Sequence, residues 1–533
     1  MHLKQIYARK FARLRIFYHL CNRDFKHKLL FKVYKKGMNY PVMTAEEAAR
    51  LIKNDYVVGI GGFSSVGVPK AVPAAIAKYA TEEHEAGRPF QIGLITGGAT
   101  GPAVDTELPL AHAVKFRTPF QSNANMRKAI NTGEVQYFDC HLSMIGQDVY
   151  YGFLGKMDVA IVEASEILDN GNIILTTSVG ISPSLVAHAD KVIIELNAAH
   201  GDRLKGMHDI YVPEMPPYRK PFMITSPGDR IGTIDVKVDP SKVIAVVNTN
   251  LRDNQAGFKP LDDDTRAIGA HVSNFLVSEL KRGGIPKEFL PLQSGVGNIA
   301  NAVIGALGDN PDVPAFSMFT EVIQNSVIDL ILKGRCNYVT GSSLSLTDDA
   351  LDTMYAHMDV FGQRLLLRPQ EITNHPECIR RLGIIALNTA LEADIFGNVN
   401  STHVMGTRMM NGIGGSADFA RNAFLSIFTT PSLAKGGAIS SIVPMVTHTD
   451  SSEHSVRVLV TEQGVADLRG KSPSQRARLI IENCAHPDYK QLLWDYLKLS
   501  EGKGFHTPHS LRNAFKMHIA FEETGDMRNA KFE

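Results

Sequence analysis

A carboxylate that closes an apolar run is the first group in this sequence equipped for chemistry. Phe316-Ser-Met-Phe-Thr-Glu321 leads into Val322, Ile323, Ser326, Val327, Leu330 and Ile331, spaced at the helical period until Gly334 stops them. The pattern predicts strand, glutamate, helix. α/β folds place their ligands at the carboxyl ends of buried strands, so Glu321 can be a functional carboxylate. The same position suits an acid that does no more than favour a helix amino terminus.

Three glycine-rich stretches stand before predicted helices: Gly59 to Gly67, Gln293-Ser294-Gly295-Val296-Gly297, and Met410-Asn411-Gly412-Ile413-Gly414-Gly415-Ser416. Glycine loops of this kind bring backbone N–H groups against phosphates, acyl groups or an oxyanion, or they simply make a tight turn. Ser416 is predicted to cap the helix that follows the third. None of the three spells GxGxxG or GxxxxGK[ST], which weighs against dinucleotide and Walker-type sites. There is no GxSxG elbow for a serine hydrolase. No HExxH or clustered His/Cys set is visible, so no metal site is expected.

These residues need a scaffold, and 533 residues are too many for one ordinary core. The chain is 44% hydrophobic and 21% charged, as in globular proteins, and no apolar run approaches a membrane span. Its five cysteines are scattered and never paired as CxxC, which points to a reducing compartment rather than a disulfide framework. Residues 1–37 hold eleven Lys/Arg and one acid, leaving 45 of the 56 basic and 54 of the 55 acidic residues elsewhere, a net charge of about −9. A body of that charge is not expected to bind nucleic acid. The basic head reads as a transit peptide, although it lacks Ser and Thr, or as an extension outside the fold. The second reading sets residues 1–42 apart and places the protein in the cytoplasm; the first would place it in the mitochondrion.

Order is predicted to begin at Thr44-Ala-Glu-Glu47, a capping box. A strand, the first glycine turn and a helix with Pro69 near its first turn follow. Strand-like runs at Gln91–Thr96, Val159–Glu163, Val192–Leu196, Val243–Val247 and Leu382–Asn388, separated by helical stretches, predict an α/β protein with mostly parallel sheets. The Pro-rich patch at 212–221 suggests a boundary near residue 230. Because Leu292 to Val303 repeats the strand, glycine, helix plan of Gly59 to Ile76, two related halves are expected, 43–230 and 231–505, with 506–533 as a tail.

Read in order, Gly295-Val-Gly-Asn-Ile-Ala-Asn-Ala, Thr320-Glu-Val-Ile-Gln, Asn411-Gly-Ile-Gly-Gly-Ser and Val460-Thr-Glu-Gln-Gly-Val-Ala-Asp-Leu-Arg-Gly470 resemble the acetyl-CoA hydrolase/transferase family, and within it the succinyl-CoA:acetate CoA-transferase branch. The likeness runs from about residue 43 to 505. It implies two tandem CoA-transferase-type domains with the active site between them and Glu321 as nucleophile. It places oxyanion-hole amides on Val296 and Gly415. The CoA-contacting loops fall on Gln293, Ser294, Gly295, Val296 and Gly297, on Gly414 and Gly415, and on Lys435. Asn374, Glu462 and Arg252 fall on polar positions near the nucleophile, and Arg252 hints at a dicarboxylate. Ala417 stands where the family pattern has Gly.

The implied activity is CoA transfer from a short-chain acyl-CoA to a small carboxylate through a glutamyl-CoA thioester. The alternatives are acyl-CoA hydrolysis by the same glutamate and, more remotely, a CoA-binding protein without catalysis. Coenzyme A enters as a substrate, with no tightly bound cofactor, and a homodimer is expected.

Overall fold

Two mostly parallel sheets carry the chain. The computed structural model describes residues 40–253, 255, 257, 260–502 and 504–533; the expectations placed on the basic head up to residue 39 lie outside them. The first sheet takes β1 (Val57–Ile60), β2 (Ile92–Thr96), β3 (Val114–Thr118), β4 (Gln136–Tyr137), β5 (Val159–Ile167), β6 (Ile173–Leu175), β7 (Lys191–Asn197) and β8 (Val243–Thr249) in the order β4-β3-β2-β1-β5-β7-β8. Every pair on that path is parallel, and β6 runs antiparallel on β5. Strands covered on both faces need continuous apolar runs, which is why these segments stand out in the sequence.

The second sheet uses β9 (Leu292–Ser294), β10 (Phe316–Phe319), β12 (Cys336–Gly341), β14 (Leu365–Leu367) and β15 (Ile385–Thr389) in the order β14-β12-β10-β9-β15. Leu425–Thr429 and Val458–Thr461 extend it in parallel, and Gly464–Asp467 closes it antiparallel. Beside it, β11 (Val322–Gln324) pairs with β13 (Ser343–Ser345). The repeated plan is present in both halves: β1 turns into the Ala71–Glu85 helix, and β9 into the Asn298–Asp309 helix. The Thr44 capping box forms as expected. The Ala71–Glu85 helix has no side-chain cap of its own; the buried carboxylate of Glu195 on β7 accepts the N–H groups of Lys70, Ala71 and Val72 instead.

Three boundaries differ from the sequence reading. β8, expected to open the second half, is the edge strand of the first sheet, paired with β7 from Val192 to Asn197. A parallel neighbour can be reached only after a long connection, and residues 198–242 supply it. That connection is no plain linker, because Phe222 and Ile224 are buried against Ile372 and Ile379 of the second half. Residues 40–42 also belong to the fold: Tyr40 is buried and Val42 bridges to Val246 on β8. At the other end, residues 506–533 are packed rather than trailing, with Met517, Ala520, Met527 and Ala530 in one core with Tyr489 and Tyr496.

The halves meet as one body. A single apolar cluster runs from Val162 and Ile194 through Val272 and Ile304 to Val339 and Leu365. Backbone bonds from Val179 N–H to the Ser342 carbonyl (2.9 Å) and from Leu344 N–H to the Thr177 carbonyl (2.8 Å) stitch the seam. The seam is closely packed where Gly146, on the Leu142–Tyr150 helix, faces the buried carboxyl of Glu371, which Ser184 holds at 2.5 Å. A methyl group on Gly146 would overlap that carboxyl. Gly146→Ala is therefore expected to lower stability by about 1–3 kcal/mol through overpacking at the seam, read as a fall in the denaturant midpoint. An unchanged midpoint would show that the seam can relax.

Candidate active site

Glu321 sits at the junction of β10 and β11. The structure corrects the expectation that a helix begins at Val322: Val322, Ile323 and Gln324 form β11, and the helix spans Asn325–Leu332. The reason lies in the Glu321 carbonyl, which accepts the N–H groups of Ser342 (2.7 Å) and Ser343 (3.1 Å) and draws the chain into one further pairing. On the other side Thr320 N–H donates to the Thr340 carbonyl at 2.9 Å, and Thr320 Oγ1 donates to the Ser294 carbonyl at 3.1 Å. The backbone is thus pinned on both sides of Glu321. Its side chain enters a cavity of about 440 Å³ between the halves, walled by Phe63, Phe120 and Leu142 from the first and by Val322, Asn388 and two glycine loops from the second.

The first loop follows β9. Gly295 N–H donates to the Leu387 carbonyl (3.1 Å), and the Gln324 amide grips the turn, donating to the Gly295 carbonyl (2.8 Å) and accepting from Gly297 N–H (3.3 Å). Gly297 has φ +113°, a conformation that favours glycine. Gln293, Gly295 and Val296 line the cavity, and Val296 is 52% exposed. Ser294 and Gly297 stand behind them, Ser294 tied to Thr320 and Gly297 opening the helix.

The second loop is laid onto the first half. Asn411 accepts from Tyr137 (2.5 Å), Ile413 N–H donates to Asp139 (2.7 Å), and the Gly414 carbonyl accepts from Leu142 N–H (3.3 Å). Gly415, not Ser416, occupies the cap position of the Ser416–Asn422 helix, and the Ser416 hydroxyl donates back to Ile413. The backbone of Gly415 lies so close to Glu321 that a Cβ there would coincide with the carboxyl. Among the described residues the Val296 and Gly415 N–H groups meet no hydrogen-bond acceptor.

Asn374 is fully buried and donates through Nδ2 to Glu321 Oε1, while its Oδ1 accepts from Thr373 at 2.8 Å. Burial pushes the Glu321 carboxyl up to about 7; the bond from Asn374 opposes that rise and the charge of Asp418 adds to it. Asp418 lies 3.4 Å from Asn374 Nδ2 and accepts from Ser143 N–H (3.0 Å) and Oγ (2.7 Å). Its own carboxyl is pushed up to about 6 by burial, against the pull of Ser143 and His141.

The structure brings Glu321, Gln293, Gly295, Val296, Gly414 and Gly415 to one cavity, with Asn374, Ser294 and Gly297 directly behind its wall, and sets Arg252, Glu462 and Lys435 farther off. Arg252 lines an adjoining cavity with Lys70 and Asp253, which shares Ser65 and Gln255 with the first, and pairs with Asp352 at 2.7 Å. Glu462, at the turn before Gly464–Asp467, accepts from Ser432 N–H (2.8 Å) and Gln463 (2.9 Å). It braces the segment that ends in Lys435, whose ammonium stands 4.8 Å over the Phe521 ring. His375, Glu377 and Cys378 bring potential metal-ligand atoms within 4.8 Å of one another, but Glu377 pairs with Arg381 and burial pushes the Cys378 thiol up to about 12, holding it in its poorly ligating neutral form.

Sequence reasoning missed Asp418, Gln324 and the walls supplied by the first half. Asp418 offered a weak signal, as an acid in the first turn after the glycines. Nothing local marked the serine above it.

Two α/β halves closing over a carboxylate beside two glycine loops define a CoA-transferase-type protein, and solved structures agree on the fold. RipA from Yersinia pestis superposes with a TM-score of 0.67 at 22% identity, covering 86% of this chain and 97% of its own. A 4-hydroxybutyrate CoA-transferase from Porphyromonas gingivalis gives 0.59 at 21%, with coverage of 86% and 97%. Residues 29–248 match the acetyl-CoA hydrolase/transferase N-terminal domain and residues 351–497 the corresponding C-terminal domain. The chain belongs to the acetyl-CoA hydrolase/transferase family, whose activities are CoA transfer and acetyl-CoA hydrolysis. It is 50% identical to the propanoyl-CoA:succinate CoA transferase of Escherichia coli over 485 residues, covering 91% of this chain and 98% of the relative. Identity to the succinyl-CoA:acetate CoA-transferase of Clostridium kluyveri is 47% (91% and 90% covered), and to the acetyl-CoA hydrolase of Saccharomyces cerevisiae 44% (92% and 96% covered).

Two outcomes follow from this geometry. Since the folded Glu321 carboxyl titrates near 7 and an unfolded one near about 4.3, its contribution to stability is complete below the lower value and lost as pH rises through the upper. Glu321→Gln, which mimics the protonated side chain, should be the more stable protein at pH 8 by on the order of 3–4 kcal/mol, with no advantage near pH 4. Denaturant midpoints across pH test this, and a pH-independent difference would contradict it. Gly415→Ala should displace the carboxyl and lower turnover by roughly 100- to 1000-fold; near-normal CoA release would show that the loop can back away.

Proposed function

We propose that Glu321 is the nucleophile of a CoA-transferase that moves CoA from a short-chain acyl-CoA, such as succinyl-, acetyl- or propionyl-CoA, to acetate or succinate. The observation that carries this reading is the enclosed Glu321 carboxyl held by Asn374 against the Gly415 backbone. A Glu321 oxygen attacks the thioester carbonyl, and the tetrahedral oxyanion collapses to an acyl-glutamyl anhydride with CoA thiolate as leaving group. The thiolate attacks the glutamyl carbonyl of the anhydride, releasing the first carboxylate and leaving a glutamyl-CoA thioester. The acceptor carboxylate then reverses the two steps. One negative charge enters and one leaves at each stage, so no proton has to move.

In this reading the N–H groups of Val296 and Gly415 are the oxyanion donors. The first glycine loop and Lys435 receive CoA. Arg252 meets the far carboxylate of a dicarboxylic substrate by way of the adjoining cavity. Glu462 acts on the CoA side by bracing the Lys435 segment. Coenzyme A is a substrate, with no tightly bound cofactor, and the assembly is a cytoplasmic homodimer. A second reading, hydrolysis of acetyl-CoA by water attack on the same intermediate, is favoured by the 44% identity to the yeast hydrolase.

The test is incubation with acetyl-CoA or succinyl-CoA without acceptor, followed by mass spectrometry of the peptide containing Glu321. A CoA adduct that is absent from Glu321→Ala and discharged by added acetate or succinate is expected. Steady, Glu321-dependent CoA release without acceptor would favour the hydrolase. Acyl-CoA left intact would overturn both.

A further inference from the structure

Asp418 is only 5% exposed and reaches the Glu321 site from behind. Ser143, at the start of the Leu142–Tyr150 helix of the first half, grips both oxygens of its carboxylate, the hydroxyl donating to Oδ1 and the N–H to Oδ2. Oδ2 also faces Asn374 Nδ2, the nitrogen that donates to Glu321. Turned the other way, the Asn374 amide would set its oxygen against two carboxylates, so the pair of acids fixes its orientation. Among the described residues no Lys or Arg forms an ion pair with Glu321 or Asp418; the His141 imidazole Nδ1 lies 3.9 Å from Asp418.

We propose that Asp418 is a positioning residue that keeps the Asn374 N–H aimed at Glu321 and sets an uncompensated negative charge behind the nucleophile, from an anchor in the opposite half. The inference rests on Glu321 being the nucleophile. When Glu321 attacks, its charge passes to the departing thiolate, and a fixed negative charge nearby favours that displacement. When the carboxylate is regenerated, the same Asn374 N–H is in place to receive it.

Other groups around Asp418 are accounted for as follows. Cys140, beside His141, is held neutral by burial, its thiol pushed up to about 12. Burial likewise pulls His375 down to about 4, so it is uncharged at neutral pH. Glu377, Arg380 and Arg421 line the outer cavity that Asp418 also borders, with mixed sign. Glu371, on the helical turn before Asn374, accepts from Ser184 through Oε1, and its own carboxyl is pushed up by burial.

The experiment follows acceptor-free formation of the Glu321 CoA adduct against pH in the wild type, Asp418→Asn and Ser143→Ala. Asp418→Asn keeps the shape and removes the charge that opposes Glu321 ionisation, so the acid limb should move down by roughly one pH unit while the KM for acyl-CoA holds. Ser143→Ala leaves Asp418 neutral to a higher pH and should move the limb in the same direction by less. An acid limb in folded Asp418→Asn that coincides with the wild type would overturn the proposal, whatever the loss of rate. If Asp418→Asn does not fold, Ser143→Ala decides, and an unmoved or upward-shifted limb counts against it. Failure of the wild type to form any adduct would reject Glu321 as nucleophile, and this inference with it.

Discussion

Everything at the centre of this molecule depends on keeping one carboxylate ionised where water is scarce. Glu321 has no Lys or Arg partner among the described residues, and the helix dipole that the sequence suggested for it is displaced by β11 to Asn325. What remains is one amide donor, Asn374, and the open N–H groups of two glycine loops. A lysine or arginine at this position would hold the carboxylate more firmly and lower its reactivity. The site instead tolerates a costly charge and surrounds it with neutral donors, which serve an oxyanion as readily as a carboxylate.

That arrangement explains why the halves are fused rather than merely adjacent. The 410–415 loop is shaped less by its own helix than by Tyr137, Asp139 and Leu142 of the first half. Asp418 continues the contact through Ser143. The Gly415 amide and the Glu321 carboxylate both belong to the second half, yet their separation is set by the first. A shift of the seam by a fraction of an ångström would be felt at Glu321 before it was felt in either sheet.

The readable part of this chain was local. Parallel strands buried on both faces announce themselves as apolar runs, and glycine loops and the capping box at Thr44 carry their conformation in their residue types. Val322-Ile323-Gln324 reads as helix from the sequence and folds as a strand, because two β-branched residues fit a helical stripe and a short strand equally, and only Ser342 and Ser343, some twenty residues away, decide between them. The half to which β8 belongs is not legible either, because no local feature of Val243 to Thr249 says that its neighbour is β7. The site divides in the same way. Glu321, Val296 and Gly415 stand in motifs, whereas Asp418 draws its meaning from Ser143, 275 residues away in the chain.

The path of the backbone between β7 and β8 has one more implication. After leaving the first sheet the chain crosses to the second half, buries Phe222 and Ile224 there, and comes back to complete the sheet it left. The two halves therefore cannot be divided by a single cut. A break near residue 230 would strip the first sheet of its edge strand and leave that strand on the wrong fragment, and a break after β8 would leave Phe222 and Ile224 without their cover. The plan is repeated but laced, so neither half holds all the strands of its own sheet and the cover of its own apolar side chains on one continuous stretch of chain.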